Sequence, residues 1–267
     1  MVGSTTCDLV DGKPPRPGGA PLYAARVLAS LSVAATVVTR CARADTWLVD
    51  AVSAAGVEVV WHPSSATPSF RIENRAGERE MTIEVLAEPW TAADVAAALP
   101  AHTRLDWIQV APLWRGEFEA AALSALAARG RVCLDGQGLA RPGRVGRVTL
   151  DDSFDRGLLV DVSALHISQA ELAALGLSTT AASLATLGVP EIIVTLGERG
   201  SVIWADGRAE AVPAEPVSGA DPTGAGDAFT ALYLAARSTG GAPVDAAREA
   251  MAAVRVMLEE RAEKGVA

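Results

Sequence analysis

Short apolar runs alternate with amphipathic stretches through the second half of the chain. Residues 105–110, 131–134, 158–162 and 191–195 are apolar runs of the length expected for buried strands. Residues 92–99 and 118–128 lie among them and have helical patterns, the first opened by a capping box. This alternation predicts a mainly parallel sheet with helices on both faces, and ligands bind such sheets beyond the carboxyl ends of the strands.

The first half of the chain has a less regular pattern. Residues 1–10 predict one short strand that includes Asp8, and residues 35–39 and 57–61 predict two more. Strict alternation over residues 69–73 and 81–85, with a polar turn between them, predicts a β-hairpin.

Length, charge and cysteine usage narrow the classes of protein. A chain of 267 residues, half of them hydrophobic, fits one large α/β domain spanning 1–267. The net charge of −9 without a basic cluster argues against nucleic acid as a partner, and no apolar window reaches the length of a membrane span. Three widely spaced cysteines indicate neither a zinc site nor a disulfide framework, so we expect a cytoplasmic protein.

The strongest chemical signal is the stretch DPTGAGDAF at residues 221–229. A loop containing Gly224 and Gly226 leads into an amphipathic segment that predicts a helix starting near Gly224. Unpaired N–H groups at a helix start bind anions, and the glycines let a phosphate approach the backbone. Asp227 is then either a helix-capping residue or a general base beside a phosphate site.

This nine-residue stretch resembles the C-terminal signature of the ribokinase-like (PfkB) family of small-molecule kinases, with Pro222-Thr223 where the family usually has a threonine followed by a variable residue. The resemblance implies a three-layer α/β/α domain that transfers the γ-phosphoryl group of ATP to a hydroxyl of a sugar, cyclitol or nucleoside. It implies that Asp227 is the catalytic base and that Gly224, Ala225 and Gly226 form the anion hole. Ser168 and Glu171 match a motif whose acid organises Mg²⁺ through water, and they also form a capping box.

Other segments extend the resemblance to the two substrates. The stretch around residues 195–200 resembles the family's nucleotide segment, which implies ATP contacts for Thr195, Gly197 and Gly200 together with Thr223 and the signature glycines. The acceptor would be bound by Asp8 and by Gly18 and Gly19 at a helix start. The segment after Asp135 resembles a branch that includes inositol kinases and adds Gln137 and Arg141. Tyr23 departs from the family pattern, which has an asparagine, and either stacks on substrate or packs in the core.

Many family members carry a β-sheet lid over the acceptor, and its strands lie partly between Asp8 and Gly18. Only residues 9–17 separate these two positions, which predicts a lid that is reduced or absent, with a residual hairpin near 68–86. We therefore expect a monomer, or a dimer not built on the lid. Two alternatives stay open: a hydroxymethyl-heterocycle kinase, whose family relatives also lack the lid, and a non-catalytic ligand sensor on the same fold.

Overall fold

The computed structural model describes residues 1–75 and 78–263, and it is built around a nine-stranded sheet. The sheet order is β14-β13-β12-β11-β9-β8-β1-β4-β5; seven strands from β12 to β5 run parallel, while β13 and β14 form an antiparallel edge. These strands are β1 (Val2–Ser4), β4 (Thr36–Ala42), β5 (Glu58–Ser64), β8 (Trp107–Val110), β9 (Arg131–Asp135), β11 (Val162–Ser168), β12 (Glu191–Thr195), β13 (Ser201–Ala205) and β14 (Arg208–Val212).

Helices cover both faces of this sheet, as the alternating pattern predicts. One hydrophobic core lies between the sheet and the helices that carry Val95, Leu126 and Leu172, and the other lies under the helices that carry Leu28, Phe229 and Val254. The α-helices are α1 (Ala20–Ser30), α2 (Trp47–Ser53), α3 (Ala92–Ala98), α4 (Ala120–Ala127), α5 (Gln137–Ala140), α6 (Gln169–Ala174), α7 (Ala181–Ala185), α8 (Ala225–Ser238) and α9 (Pro243–Glu263). No helix within residues 1–75 and 78–263 has the length and hydropathy needed to cross a bilayer.

A second sheet of five strands, ordered β10-β7-β6-β2-β3, corrects the prediction of an absent or residual lid. The predicted hairpin is present as β6 (Ser69–Arg75) and β7 (Glu78–Val85), but it is joined by β2 (Thr6–Val10), β3 (Arg16–Gly18) and β10 (Gly146–Arg147). The short segment between Asp8 and Gly18 is sufficient because β2 and β3 are very short and are joined by a loop of only residues 11–15. The argument against a dimer through this sheet therefore no longer holds.

Two predicted strands differ from the structure. Residues 1–10 form two strands, because Thr5 lies between β1 in the large sheet and β2 in the small one. Residues 158–162 are not a strand: Arg156–Leu159 form a 3₁₀ turn, and the buried strand is β11, which continues through His166 to Ser168. This shift places His166 inside the sheet.

Candidate active site

The predicted functional residues meet at the carboxyl edge of the parallel strands. β9 ends at Asp135, β11 at Ser168 and β12 at Thr195. The strand register pairs His166 with Asp135 and Ser168 with Thr195, so polar side chains follow one another along this edge. The signature loop lies beside them, because Gly226 at the start of α8 approaches the His166 ring.

Gly224 fixes the shape of the signature loop. It is the N-cap of α8 and has a left-handed backbone, with φ of 76°. A Cβ at this position would overlap the ring of Tyr23, so the Cα of the glycine packs directly against that ring. Only glycine satisfies both demands without strain. Tyr23, the departure from the family pattern, thus lies at the site and supports the loop.

The backbone amides of the loop divide into used and free donors. The N–H of Ala225 donates to the carbonyl of Pro222 at 2.9 Å, and the N–H of Thr223 donates to Asp221 Oδ1 at 2.9 Å. Among the residues that the structure describes, the N–H groups of Gly224, Gly226 and Asp227 have no acceptor. In this conformation, the free donors of the predicted anion hole are therefore those three amides, with Asp227 in place of Ala225.

Two arginines from distant elements hold this loop. Arg261 of α9 donates to the carbonyls of Asp221 and Thr223, at 3.2 and 2.8 Å. Arg79 of β7 donates to Thr223 Oγ1 at 3.2 Å, across 144 positions of sequence. The small sheet is thus in direct contact with the signature loop, as a lid over the site would be.

Asp227 lies in the first turn of α8, half-buried, at the centre of a charged group. Burial and the nearby charge of Asp135 raise the pKa of its carboxyl to about 7, while His166 and Arg141 act in the opposite direction. Within the described ranges, no hydrogen bond reaches this carboxylate. It caps no helix in this structure and remains open to a ligand, which is the arrangement a general base requires.

Asp135 and His166 form a buried pair beneath the loop that sequence reasoning missed. His166 Nδ1 lies 2.9 Å from Asp135 Oδ2, and its Nε2 lies 3.4 Å from Thr195 Oγ1. The sequence pattern gave His166 no role because it is isolated from other histidines and cysteines along the chain. The available signal was the alignment of two strand ends, which a correct strand boundary would have exposed.

Glu171, the predicted partner of a Mg²⁺ ion, forms the capping box at the start of α6. Its Oε2 accepts hydrogen bonds from the backbone N–H and the hydroxyl of Ser168, at 2.9 and 2.8 Å. Oε1 takes no part in these bonds. Burial, followed by the charge of Asp135, raises the pKa of this carboxyl.

The described residues contain no cluster of three or more acidic, histidine or cysteine side chains able to hold a metal ion. A single carboxylate such as that of Glu171 is compatible with Mg²⁺, which keeps several waters and takes further oxygen ligands from substrate phosphates.

The predicted acceptor residues come from the second sheet, from the start of α1 and from the segment after β9. Asp8 lies on β2, and a Cβ on Gly18 would overlap its carboxylate, so the glycine is needed for this close approach. Asp8 is 7% exposed, its Oδ1 meets no hydrogen-bond partner in the described part of the chain, and burial raises its pKa. A buried, unpaired acceptor oxygen is costly unless a ligand satisfies it. Gly19, the residue that follows Gly18 along the chain, is the N-cap of α1.

Gln137 and Arg141 lie in the segment that follows β9. The N–H of Gln137 donates to Asp135 Oδ1 at 2.9 Å, so the loop after β9 is fixed by that carboxylate. Arg141 donates to the carbonyl of Leu113 at 3.0 Å, and its guanidinium carbon lies 5.9 Å from the centre of the Phe70 ring. Its buried Nε has no partner among the described residues.

A crevice of about 1170 Å³ opens on the other side of the signature loop. Thr195, Gly197 and Gly200 border it, as the resemblance predicts for a nucleotide. Much of the remaining wall is apolar and comes from the loop before residue 221 and from α9: Val212, Pro216, Val217, Phe229, Met251 and Val254. The two arginines in the wall, Arg248 and Arg255, are already paired with Asp245 and with Glu215 and Glu259.

Comparison with known proteins shows which proteins this chain is similar to. Residues 159–263 match the model of the pfkB family carbohydrate kinases. The fold superposes on a pyrophosphate-dependent kinase of the ribokinase family, solved with a pyrophosphate analogue and myo-inositol (TM-score 0.82, 24% identity, 96% of this chain and 93% of that chain). The chain has the ribokinase-like fold, and its resemblance to the PfkB family is confirmed.

Two further similar proteins differ in how much of this chain they match. A fructokinase from Vibrio cholerae O395, solved with fructose, ADP and calcium, has a TM-score of 0.69 at 18% identity, over 98% of this chain and 97% of that chain. An inositol 3-kinase from Zea mays is 35% identical over 120 residues, which are 43% of this chain and 30% of the maize protein. The chain thus matches less than a third of that curated relative, while the solved structures establish the fold.

Proposed function

We propose that this protein is an ATP-dependent kinase that transfers the γ-phosphoryl group to a hydroxyl of a sugar, a cyclitol such as inositol, or a nucleoside. The observation that carries the proposal is Asp227: its half-buried carboxylate receives no hydrogen bond from any described residue and lies beside the free amides of Gly224 and Gly226. A capping aspartate would be bonded to such amides. An unbonded one, with its pKa raised to about 7, is suited to accept a proton.

In the proposed reaction, Asp227 takes the proton of the acceptor hydroxyl. The hydroxyl oxygen then forms a bond to the γ-phosphorus of ATP. The bond between that phosphorus and the bridging oxygen breaks, and ADP leaves with the negative charge. The free amides of the loop stabilise the transferring group, and Asp8 accepts hydrogen bonds from acceptor hydroxyls. Mg²⁺, when bound with the donor, neutralises phosphate charge, and Glu171 would hold it through water with its uncapped oxygen.

The choice of ATP as donor rests on the crevice beside the loop. Its apolar wall suits an adenine ring and ribose, whereas a pyrophosphate donor needs cationic side chains along its whole length. Both crevice arginines are paired with acidic residues instead. The likeness to a pyrophosphate-dependent kinase makes pyrophosphate the donor to test against ATP.

The choice of acceptor rests on the lid and on Asp8. A second sheet that contacts the signature loop through Arg79 favours a sugar or cyclitol over a hydroxymethyl heterocycle, because the family relatives acting on the latter lack the lid. The inositol 3-kinase from Zea mays and the kinase solved with myo-inositol make inositol the first acceptor to test. We further propose a cytoplasmic enzyme, since all three cysteines are free, that is a monomer or a dimer.

The test is a matrix of donors and acceptors with Mg²⁺ present. ATP and pyrophosphate are each combined with myo-inositol, a panel of hexoses and pentoses, nucleosides and a hydroxymethyl-pyrimidine, and phosphorylated product is detected by ³¹P NMR. We expect product from ATP with a cyclitol or sugar, and none with Asp227→Asn. Product from pyrophosphate alone would overturn the donor assignment. ATP binding without product from any acceptor would favour a sensor.

A further inference from the structure

His166 is a buried, titratable side chain that the proposed reaction does not use. It is 6% exposed on β11, directly opposite Asp135 in the strand register, and its Nδ1 lies 2.9 Å from Asp135 Oδ2. The other oxygen of Asp135 is occupied by the N–H of Gln137 at 2.9 Å. The carboxylate is therefore fixed from two sides, and it fixes the orientation of the imidazole in turn.

The opposite edge of the imidazole faces the signature loop. Its Cε1 lies 3.6 Å from the position that a Cβ on Gly226 would take, and its Nε2 lies 3.4 Å from Thr195 Oγ1. Gly226 supplies one of the free amides of the loop, and Thr195 borders the nucleotide crevice. The ring thus lies under the place where the transferring phosphoryl group would be bound.

The charges around His166 favour its protonated form. Burial alone would lower the pKa of the imidazole, but the hydrogen bond and charge of Asp135, with the charges of Glu171 and Asp227, outweigh this effect and raise it above 6.5. Arg141 is a second cation whose charge interacts with these three carboxylates. In return, the charge of His166 lowers the pKa of Asp227, and it does so more strongly than the charge of Arg141.

We propose that His166, held as an imidazolium by Asp135, is an electrostatic positioning residue of the anion hole. Its positive charge lies beneath Gly226, where it stabilises the negative charge of the transferring phosphoryl group, and beside Asp227, which it keeps ionised. Charges near the low-dielectric interior of a protein act strongly on one another, so one imidazolium can offset part of the repulsion among three neighbouring carboxylates. The catalytic part of this proposal rests on the proposed function.

The first experiment measures turnover against pH for the wild type, His166→Gln and a control, His62→Gln. His62 is a suitable control because it also pairs with a carboxylate, Asp94, at 3.1 Å, but lies outside the site. For His166→Gln we expect kcat to fall at least about tenfold and the acidic limb of kcat/KM to move to higher pH, because Asp227 loses its cationic neighbour. His62→Gln should change neither quantity.

A merely structural role would give a different result. If His166→Gln lowered kcat equally at every pH and left the acidic limb in place, the electrostatic proposal would be wrong. Thermal unfolding of both variants confirms that each is folded at the assay temperature.

A second measurement does not depend on turnover, and its main observation is made on the wild-type protein. The NMR titration of the His166 imidazole in the wild-type protein should show protonation that persists above pH 6.5. Asp135→Asn should lower the pKa of that imidazole. Titration of His166 at or below 6.5 would contradict the proposal. If the wild type phosphorylates nothing, the proposed function fails. The titration of His166, together with the affinity of His166→Gln for ADP plus orthovanadate, then still decides whether the imidazolium supports an anion hole.

Discussion

Two carboxylates, those of Asp227 and Glu117, have a similarly raised pKa but opposite surroundings. Burial raises the pKa of each to about 7. Glu117 is fully buried and saturated: Ser4 Oγ donates to its Oε1 at 2.5 Å, and the N–H of Leu113 donates to its Oε2. Asp227 is half-buried and accepts no hydrogen bond from any described residue.

The difference shows why a shifted pKa alone does not locate an active site. Glu117 belongs to a closed network in which Ser4 also accepts from the indole N–H of Trp90 at 3.3 Å, so its proton has nowhere to go. Asp227 keeps both oxygens available next to free backbone donors. A perturbed pKa marks a functional residue when the group is also open to a reactant.

The largest expected effect separates the two carboxylates directly. Asp227→Asn should lower kcat by 10² to 10⁴-fold, the usual contribution of a general base, while ATP affinity stays within a few fold. Glu117→Gln should leave kcat within about twofold, since the amide oxygen can accept from the N–H of Leu113 while the amide NH₂ donates to Ser4 Oγ. The measurement is steady-state turnover with the best acceptor. If Asp227→Asn kept more than about a hundredth of the wild-type rate, Asp227 would not be the general base.

A smaller effect tests the free amides that distinguish the Asp227 site. Gly224→Ala places a methyl group against the Tyr23 ring at a left-handed φ of 76°, so the loop must move. We expect kcat to fall by at least about tenfold with a loss of stability of about 1 kcal/mol or more, because a strained αL residue and a displaced hole act together. Gly207→Ala is a matched control, with φ of 76° in a hairpin turn and open space around its Cα. It should lose stability but keep kcat.

A third substitution removes charge from the site without removing structure. Glu171→Gln keeps a residue that forms capping boxes, so α6 should remain intact and the melting temperature nearly unchanged. The Mg²⁺ concentration for half-maximal rate should rise several-fold, because a charged oxygen behind the metal's water shell is lost. A Mg²⁺ titration identical to that of the wild type would leave Glu171 with its capping role alone.

The smallest expected effect lies in the pH dependence of stability. Because the pKa of Glu117 is higher in the folded protein than its usual 4.5, the folded state binds the proton more tightly, and stability falls as pH rises from about 4.5 to about 7. Glu117→Gln should remove this contribution and make the decline of the melting temperature over that range shallower. A decline as steep as that of the wild type would mean that Glu117 is not buried as a neutral acid.

The sequence predicts those parts of the molecule that depend on neighbours along the chain. The start of α8 at Gly224 and the capping boxes at Thr91 and Ser168 are local, and the structure confirms all three. The alternating strands and helices predict the parallel sheet for the same reason, since each element's pattern is set by its own buried face.

The parts that fail depend on partners far away in sequence. β2 pairs with β6 across about sixty positions, and β10 contributes only Gly146 and Arg147, so no local pattern could reveal a five-stranded lid. The Asp135–His166 pair fails for a related reason, because it exists only once β9 and β11 are aligned. The site is therefore predictable where one loop forms it and hidden where two strands must meet.

The most direct test of the account is the pH dependence of kcat/KM, measured for the wild type and for Glu117→Gln under identical conditions. Asp227 must be ionised to act as a base, so the rate should fall as pH drops through about 7, and the limb should be the same in Glu117→Gln. A limb near pH 4, or one that moves when Glu117 is replaced, would contradict the assignment of the open carboxylate as the base.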